Sequence, residues 1–212
     1  MQSIIQSPRL TLIQLTDTSI GSQHVQWFHE NWSDTDITIW SLHGPCKTLE
    51  ESRDWMIEHR TKYDNLFYSV FEKQEGTAGT EQDPGVHVGS VSLRRQLAGP
   101  TLPPPGRSEE DQGEVDLRVL GYAMFKRAWG KGYATEANKA LLDEYATAVA
   151  KEREAGKVFW LEGCVDEGNP GSQAVLKKLG FDKVGFKDEP EPIFLGGEWR
   201  EGGYMVYGKY VA

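Results

Sequence analysis

Arg127 to Ala137 reads RAWGKGYATEA, two glycines either side of a lysine just ahead of a helical pattern. A glycine-rich turn that opens a helix lets an anion approach the backbone closely. Gly130 and Gly132 carry no Cβ, and a helix N-terminus presents free N–H groups. Two familiar phosphate-cradling turns fail or fit poorly. A P-loop needs Gly-x4-Gly-Lys followed by Ser or Thr, whereas position 125 is Phe and Lys131 is followed by Gly132. A dinucleotide fingerprint needs Gly-x-Gly-x-x-Gly or Ala after a strand. Here the third position is Thr135, and no alternating parallel unit precedes it.

Downstream of the turn, Ala134, Ala137, Leu141, Tyr145 and Ala148 recur at three- and four-residue spacing, which predicts a helix with one apolar face. Lys157 to Val165 (KVFWLEGCV) reads as a strand. Asn169-Pro170 then starts a helix as N-cap and first helical residue, with Ala174, Val175 and Leu179 on its apolar face and Gly180 at its end. Phe181 to Phe186 and Tyr204 to Tyr210 read as closing strands. Upstream, EVDLRVLGYAMF runs as a strand into the turn, preceded by strands over Asn65 to Glu72 and Val86 to Leu93. Thr48 and Glu51 form a capping box ahead of Trp55, Met56 and His59, and Ser22 to Trp32 has helical spacing at Val25, Phe28 and Trp32. Arg9 to Leu15 (RLTLIQL) alternates as a first strand. The predicted order is strand, two helices, three strands, helix, strand, helix, two strands.

The chain has 212 residues, which suits one domain over 1–212, since a single core grows to roughly 250 residues before chains split. Segments 74–85 and 98–113 are rich in turn formers, prolines and small polar residues, and read as flexible insertions in it. A formal charge of −9 disfavours nucleic-acid binding and suits cationic partners, amines among them. Cys46 and Cys164 are too few for a disulfide scaffold, which fits a reducing, cytoplasmic setting. No run approaches the roughly 20 apolar residues of a membrane span, and MQSIIQSPRLTLIQL does not read as a signal peptide. His43 and His59 lack the companions of a metal site, so no metal is expected. The sequence assigns no oligomeric state.

Arg127-Ala128-Trp129-Gly130-Lys131-Gly132 has the form Arg/Gln-x-x-Gly-x-Gly/Ala between a strand and a helix. With NPGSQAVLKKLGFDKVG from Asn169, RLTLIQL and LGYAMF, it resembles the GNAT N-acetyltransferase superfamily, in its RimJ/RimL-type, ribosomal-protein-alanine acetyltransferase-like branch. The resemblance spans nearly the whole chain. It implies an α/β (α+β) fold: a mixed, mostly antiparallel central sheet flanked by helices and splayed between the fourth and fifth strands. It also implies acetyl-CoA as the acyl-donor cosubstrate and a primary amine as acceptor, either a protein N-terminus or a small molecule, meeting in a ternary complex. By motif, Ala123, Met124 and Phe125 would hold pantetheine through their main chain. Arg127, Trp129, Gly130, Lys131, Gly132, Tyr133, Ala134 and Thr135 would wrap the diphosphate. Asn169 would bond the pantetheine amide, and Ser172 would lie near the thioester sulfur.

Acetyl transfer needs the acceptor amine deprotonated, the oxyanion bonded and the thiolate released. Many relatives place a proton-donating Tyr in the helix after the Asn, but the matching residue here is Leu176. Ser172 is the candidate donor, although Ser also suits a helix's first turn. Relatives often place a Glu before the Gly-Tyr pair, where this chain has Val119-Leu120. Asp116 and Glu162 are the substitute bases, and each also suits a solvated surface position. Trp27, Trp32, Trp40 and Trp55 suit either a packed core or an aromatic acceptor wall. The missing Tyr and Glu leave a second reading open, a non-catalytic acyl-CoA-binding or sensory module. A dinucleotide-dependent enzyme is a more distant rival.

Overall fold

In LFYSVFE, Leu66 to Glu72, both alternating faces are apolar, and five consecutive residues are buried. A strand apolar on both sides must be covered on both sides, which fixes three layers, helices over and under a sheet. The computed structural model describes residues 1–76, 78–107, 115–200 and 202–211. Position 77 of the first expected insertion, residues 108–113 of the second and the expected strand start at Glu114 lie outside the described residues.

The strands are β1 (Ile4–Gln6), β2 (Leu10–Gln14), β3 (Leu66–Glu72), β4 (Val86–Arg95), β5 (Val115–Met124), β6 (Val158–Val165), β7 (Asp182–Lys187), β8 (Ile193–Leu195), β9 (Glu198–Arg200) and β10 (Tyr204–Tyr210). The helices are α1 (Gln23–Ser33), α2 (Thr35–Thr38), α3 (Leu49–Thr61), α4 (Tyr133–Glu154) and α5 (Pro170–Lys178). Eight strands form one sheet in the order β1-β2-β3-β4-β5-β6-β10-β7, while β8 and β9 pair as a separate hairpin. Every pair in the large sheet is antiparallel except β5 and β6, which are parallel. The sheet is mixed and mostly antiparallel, as the resemblance implied.

One face of the sheet packs Ile13, Phe67 and Phe71 against Val25, Trp27 and Phe28 of α1 and Met56 of α3. The other packs Leu10, Tyr68, Val70, Val91 and Leu93 against Ala137, Leu141, Tyr145 and Val149 of α4. Trp27 is buried in the first cluster with Trp32 and Trp55 packed against it, so three of the four N-terminal tryptophans serve the core. Trp40 instead lies under the Arg200 guanidinium, 5.3 Å from ring centroid to carbon, beside the β8–β9 hairpin.

Local signals set the helix starts. Ser22 accepts from Val25 N, Thr48 from Glu51 N and Asn169 from Ser172 N. Glu51 reaches one residue further back than a capping box requires, to Lys47 N at 2.6 Å. Several expectations need correction. The apolar face of α4 ends on Val149 while Ala148 is exposed, and α5 buries Leu176 while Ala174 is exposed. β1, α2 and the β8–β9 hairpin are additions, each of three or four residues, too short to show a period.

Candidate active site

β5 and β6 are hydrogen-bonded from Val115–Val158 to Val119–Glu162 and no further. Past that point β5 keeps its other partner as far as Met124–Gly89, and β6 keeps β10 as far as Val165–Met205. Each strand therefore holds to its outer neighbour while the two part from each other. The wedge between them leaves the inner backbone edge of Leu120–Met124 without a ladder partner. These edge groups are obligatory hydrogen-bonding groups, and an extended amide-bearing chain can satisfy them. Gly89 shapes the wedge from behind: a Cβ there would come 2.3 Å from Ala123 O, so only glycine lets β4 follow β5 to its end. Asn31 of α1, wholly buried, accepts from Ser90 Oγ and donates to Ala123 O at 3.4 Å, fixing the same strand from the α1 face.

β5 runs through Phe125, whose N–H bonds Val88 O, and a short 3-10 turn, Lys126–Ala128, into the glycine turn. Gly130 and Gly132 sit at φ +73° and +80°, the left-handed region. A Cβ on Gly130 would meet nothing within 4 Å, and one on Gly132 only Arg9 Nη2 at 3.5 Å. The backbone conformation alone demands glycine, and the space beyond it is open. Gly132 caps α4, and among the described residues no side chain caps the N–H groups of its first turn. The other four α-helices are capped by Ser22, Asp34, Thr48 or Asn169. A helix of 22 residues thus ends in unclaimed N–H groups and a partial positive charge at the mouth of the wedge. These features fit a diphosphate on a pantetheine-like arm.

Around the turn, the side chains divide between ligand-facing and structural duties. Arg127 bonds His87 O at 2.7 Å, lies 4.1 Å over the Phe125 ring and approaches Glu30 at 3.7 Å, so its exposed side chain is folded back over β4 and α1. Trp129 Nε1 bonds Met124 O at 2.7 Å while its ring is half exposed at 51%. Lys131 is exposed, Tyr133 is buried with its hydroxyl on Glu72, and Ala134 and Thr135 are half-buried in the first turn of α4. Arg9 was not singled out in the sequence, yet it holds the turn: Nε bonds Glu136 Oε2 at 2.7 Å and Nη1 bonds Lys131 O at 3.1 Å. A groove of about 940 Å³ leads away from Gly132 and Thr135 along α4, past Lys139 and Glu144, beside β1.

At the far side of the wedge stands the first turn of α5. Asn169 Oδ1 accepts from Ser172 N at 3.0 Å, which occupies its oxygen as a cap. Ser172 Oγ lies 2.7 Å from Tyr122 Oη, and the phenol also reaches Ser172 O at 3.0 Å. Tyr122 belongs to the unpaired part of β5, so this contact spans the wedge. Leu176 is buried against Gly163 of β6, where an added Cβ would lie 2.6 Å away.

Neither candidate base is a solvated surface group. Glu162 is wholly buried at the closed tip of the wedge. Its Oε1 accepts from Thr101 N at 3.0 Å and Trp160 Nε1 at 3.1 Å, and Oε2 accepts from Thr101 Oγ1 at 2.7 Å. Burial raises its carboxyl above the ordinary range, against the pull of those hydrogen bonds. Thr101 comes from the second insertion, whose described part therefore lies on the sheet. Asp116 stands opposite Phe159, at the end of the β5–β6 pairing away from the wedge, and pairs with Lys157 at 3.2 Å and Arg95 at 3.6 Å. The structure places Ala123–Phe125, the glycine turn, Asn169 and Ser172 around the wedge, with Tyr122 joining β5 to Ser172. Glu162 lies sealed under Thr101 and Trp160 on the other face of the sheet, and Asp116 stands outside. Among the described residues no group of three metal-ligating side chains is found, and no helix is long and apolar enough to cross a membrane.

A parted pair of parallel strands beside a glycine-opened helix N-terminus can hold an extended amide-bearing chain that ends in a diphosphate. The chain belongs to the GNAT acetyltransferases: the acetyltransferase (GNAT) domain family matches residues 9–182. No curated protein sequence matches. Among solved structures, RimL, an alpha-N-protein acetyltransferase of a ribosomal protein, in complex with coenzyme A, is similar at 19% identity. It has a TM-score of 0.64, with 98% of this chain and 97% of that one covered. The Vibrio cholerae spermidine N-acetyltransferase, in complex with CoA and spermine, is similar at 16% identity and a TM-score of 0.65, with 96% of each chain covered. The Bacillus anthracis GNAT acetyltransferase is similar at 18% identity and a TM-score of 0.59, with 98% of each chain covered.

Proposed function

We propose that the protein transfers the acetyl group of acetyl-CoA to a primary amine, a protein N-terminus or a small molecule, directly in a ternary complex. The observation that carries this is the β5–β6 wedge opening beside the uncapped N-terminus of α4. Together they offer an extended edge for pantetheine and an anion site for diphosphate. The amine class is supported by the names of two similar structures, an alpha-N-protein acetyltransferase and a spermidine N-acetyltransferase. Free Cys46 and Cys164 support a reducing, cytoplasmic setting. The reading treats residues 1–212 as one domain.

In this reading acetyl-CoA supplies the activated acyl group, and the chain positions it. The free edge of β5 up to Met124 pairs with the pantetheine amides, and the Asn169 amide group adds a donor. N–H groups of Gly130 to Thr135 surround the diphosphate, with Trp129, Arg9 and Arg127 bracing the turn. An N–H of the unpaired edge of β5 faces the oxyanion. Ser172 faces the sulfur, and Glu162, on the sheet face of Ser90 and Ala123, takes the proton of the incoming amine. Positioning of two reactants in one wedge supplies much of the rate.

Titration calorimetry with acetyl-CoA, followed by a CoA-release screen over N-terminal peptides, polyamines and aryl-alkylamines, tests the proposal. Micromolar binding with release for one amine class is the expected result. Absence of binding at millimolar acetyl-CoA removes the reading, and binding without release across the panel replaces it with a non-catalytic acyl-CoA module.

A further inference from the structure

The contact between Tyr122 and Ser172 joins residues 50 apart in sequence and spans the two walls of the wedge. We propose, building on the acetyl-transfer reading, that these two residues form a proton relay to the departing thiolate, with Tyr122 as its proton source and Ser172 Oγ as its outlet.

The hydrogen count supports two states of the pair. A phenol has one hydrogen, and Tyr122 Oη has two neighbours, Ser172 O at 3.0 Å and Ser172 Oγ at 2.7 Å. The carbonyl only accepts. When the phenol donates to the carbonyl, Ser172 Oγ donates to the phenol oxygen. When the phenol donates to Oγ, the serine hydrogen is released to point into the wedge. A rotation of one O–H bond interconverts the two, and the second is the state able to deliver a proton.

The surroundings favour this role. No side chain of α5 offers a phenol at the wedge, since its inward residue is the apolar Leu176 packed on Gly163. A serine hydroxyl alone is a poor acid, and the phenol behind it, the more acidic of the two hydroxyls, can replace the serine hydrogen as the sulfur takes it. Burial pushes the Tyr122 phenol up to about 12, the Ser172 bond opposes this, and no charged group acts on it. Opposite it on β4 stands the apolar Val91, and its hydrogen-bond partner is the uncharged Ser172 of α5. Tyr122 is therefore uncharged and loaded with its proton throughout that range.

The step balances. The deprotonated amine nitrogen attacks the thioester carbonyl, the C–N bond forms, and the C–S bond breaks with its electron pair on sulfur. Sulfur takes the Ser172 Oγ hydrogen, and Oγ takes the phenol hydrogen of Tyr122. The tyrosinate regains, through solvent, the proton that the acceptor nitrogen gave up. The net change moves one proton from amine to CoA thiol.

The experiment compares wild type, Tyr122→Phe, Ser172→Ala and the double variant in the CoA-release assay. Each single change should lower kcat by about 10- to 100-fold, the low end of acid–base contributions because thiolate leaves readily. KM for acetyl-CoA should stay within about threefold, and the double variant should match the worse single, as members of one unit do. Fully additive losses, or a Tyr122→Phe kcat within about twofold of wild type, overturn the relay. A fluorinated tyrosine at position 122 adds a readout that a structural ring would not move. Its more acidic phenol should bring an alkaline limb of kcat into the accessible pH range, and an unchanged profile overturns the relay even where Tyr122→Phe misfolds. No CoA release by wild type with any amine ends the acetyl-transfer reading and the relay together. Turnover by wild type with an equal Tyr122→Phe ends the relay alone.

Discussion

Gly132 shows how much a single position can carry. Its φ of +80° is costly for any residue with a Cβ, yet among the described residues the only atom within 4 Å of that Cβ would be Arg9 Nη2 at 3.5 Å. A valine there suffers about 1–2 kcal/mol of left-handed strain and adds bulk where the diphosphate approaches. Gly132→Val should therefore weaken acetyl-CoA binding by at least about tenfold, read by calorimetry, and an unchanged affinity would remove the turn from the site. Glu162 offers the second test. Burial raises its carboxyl while the Thr101 and Trp160 hydrogen bonds lower it. If it accepts the amine proton, the acidic limb of kcat/KM reports that carboxyl, because activity requires its ionised form. Thr101→Val removes one stabilising bond from the carboxylate, so the limb should move to higher pH. A limb that stays in place takes Glu162 out of the reaction. The tendency of Glu162 to protonate also has a stability sign. With the folded value raised, its contribution is full below the unfolded carboxylate range and is lost as pH rises through the folded value.

Among the elements, helix starts were the most legible part of the sequence because capping is local chemistry. Ser22, Thr48 and Asn169 each bond a backbone N–H three residues on. The start of α4 was legible by the opposite sign, a glycine where a capping side chain is expected. β1 and the β8–β9 hairpin were not legible, since three-residue strands show no period and depend on distant partners. The hairpin is tied down by Gly196 N bonding Ile39 O at 2.7 Å and by Arg200 on Asp166 at 3.0 Å. The brace on α4 was likewise hidden: Arg9 directly precedes β2 and meets Glu136 127 residues later. Arg9 is half exposed, so Arg9→Met should cost only about 0.2–1 kcal/mol of stability, as exposed ion pairs do. It should nonetheless weaken acetyl-CoA binding several-fold, because it frees the carbonyl of Lys131 inside the turn. Thermal unfolding and calorimetry on the same variant separate the two effects, and a loss confined to stability would make Arg9 a simple surface pair.

Across the whole molecule, the donor side of the site could be read from two contiguous motifs, while the chemistry is assembled from pairs far apart in the chain. Tyr122 with Ser172 and Thr101 with Glu162 are separated by 50 and 61 residues. Neither partner signals the other by spacing. The acceptor stays unread for the same reason, but the overall charge constrains it. A formal charge of −9 gives the molecule a net negative field, which draws in cations and resists the polyanionic acetyl-CoA. Salt shortens its reach, from about 30 Å at 0.01 M to about 10 Å at 0.1 M. For a cationic amine acceptor, KM should therefore rise as salt is raised, while KM for acetyl-CoA should fall or hold, the two responses having opposite sign. Steady-state kinetics at several ionic strengths, with each substrate varied in turn, make the comparison. An acceptor KM insensitive to salt would show that the global field does not steer the amine.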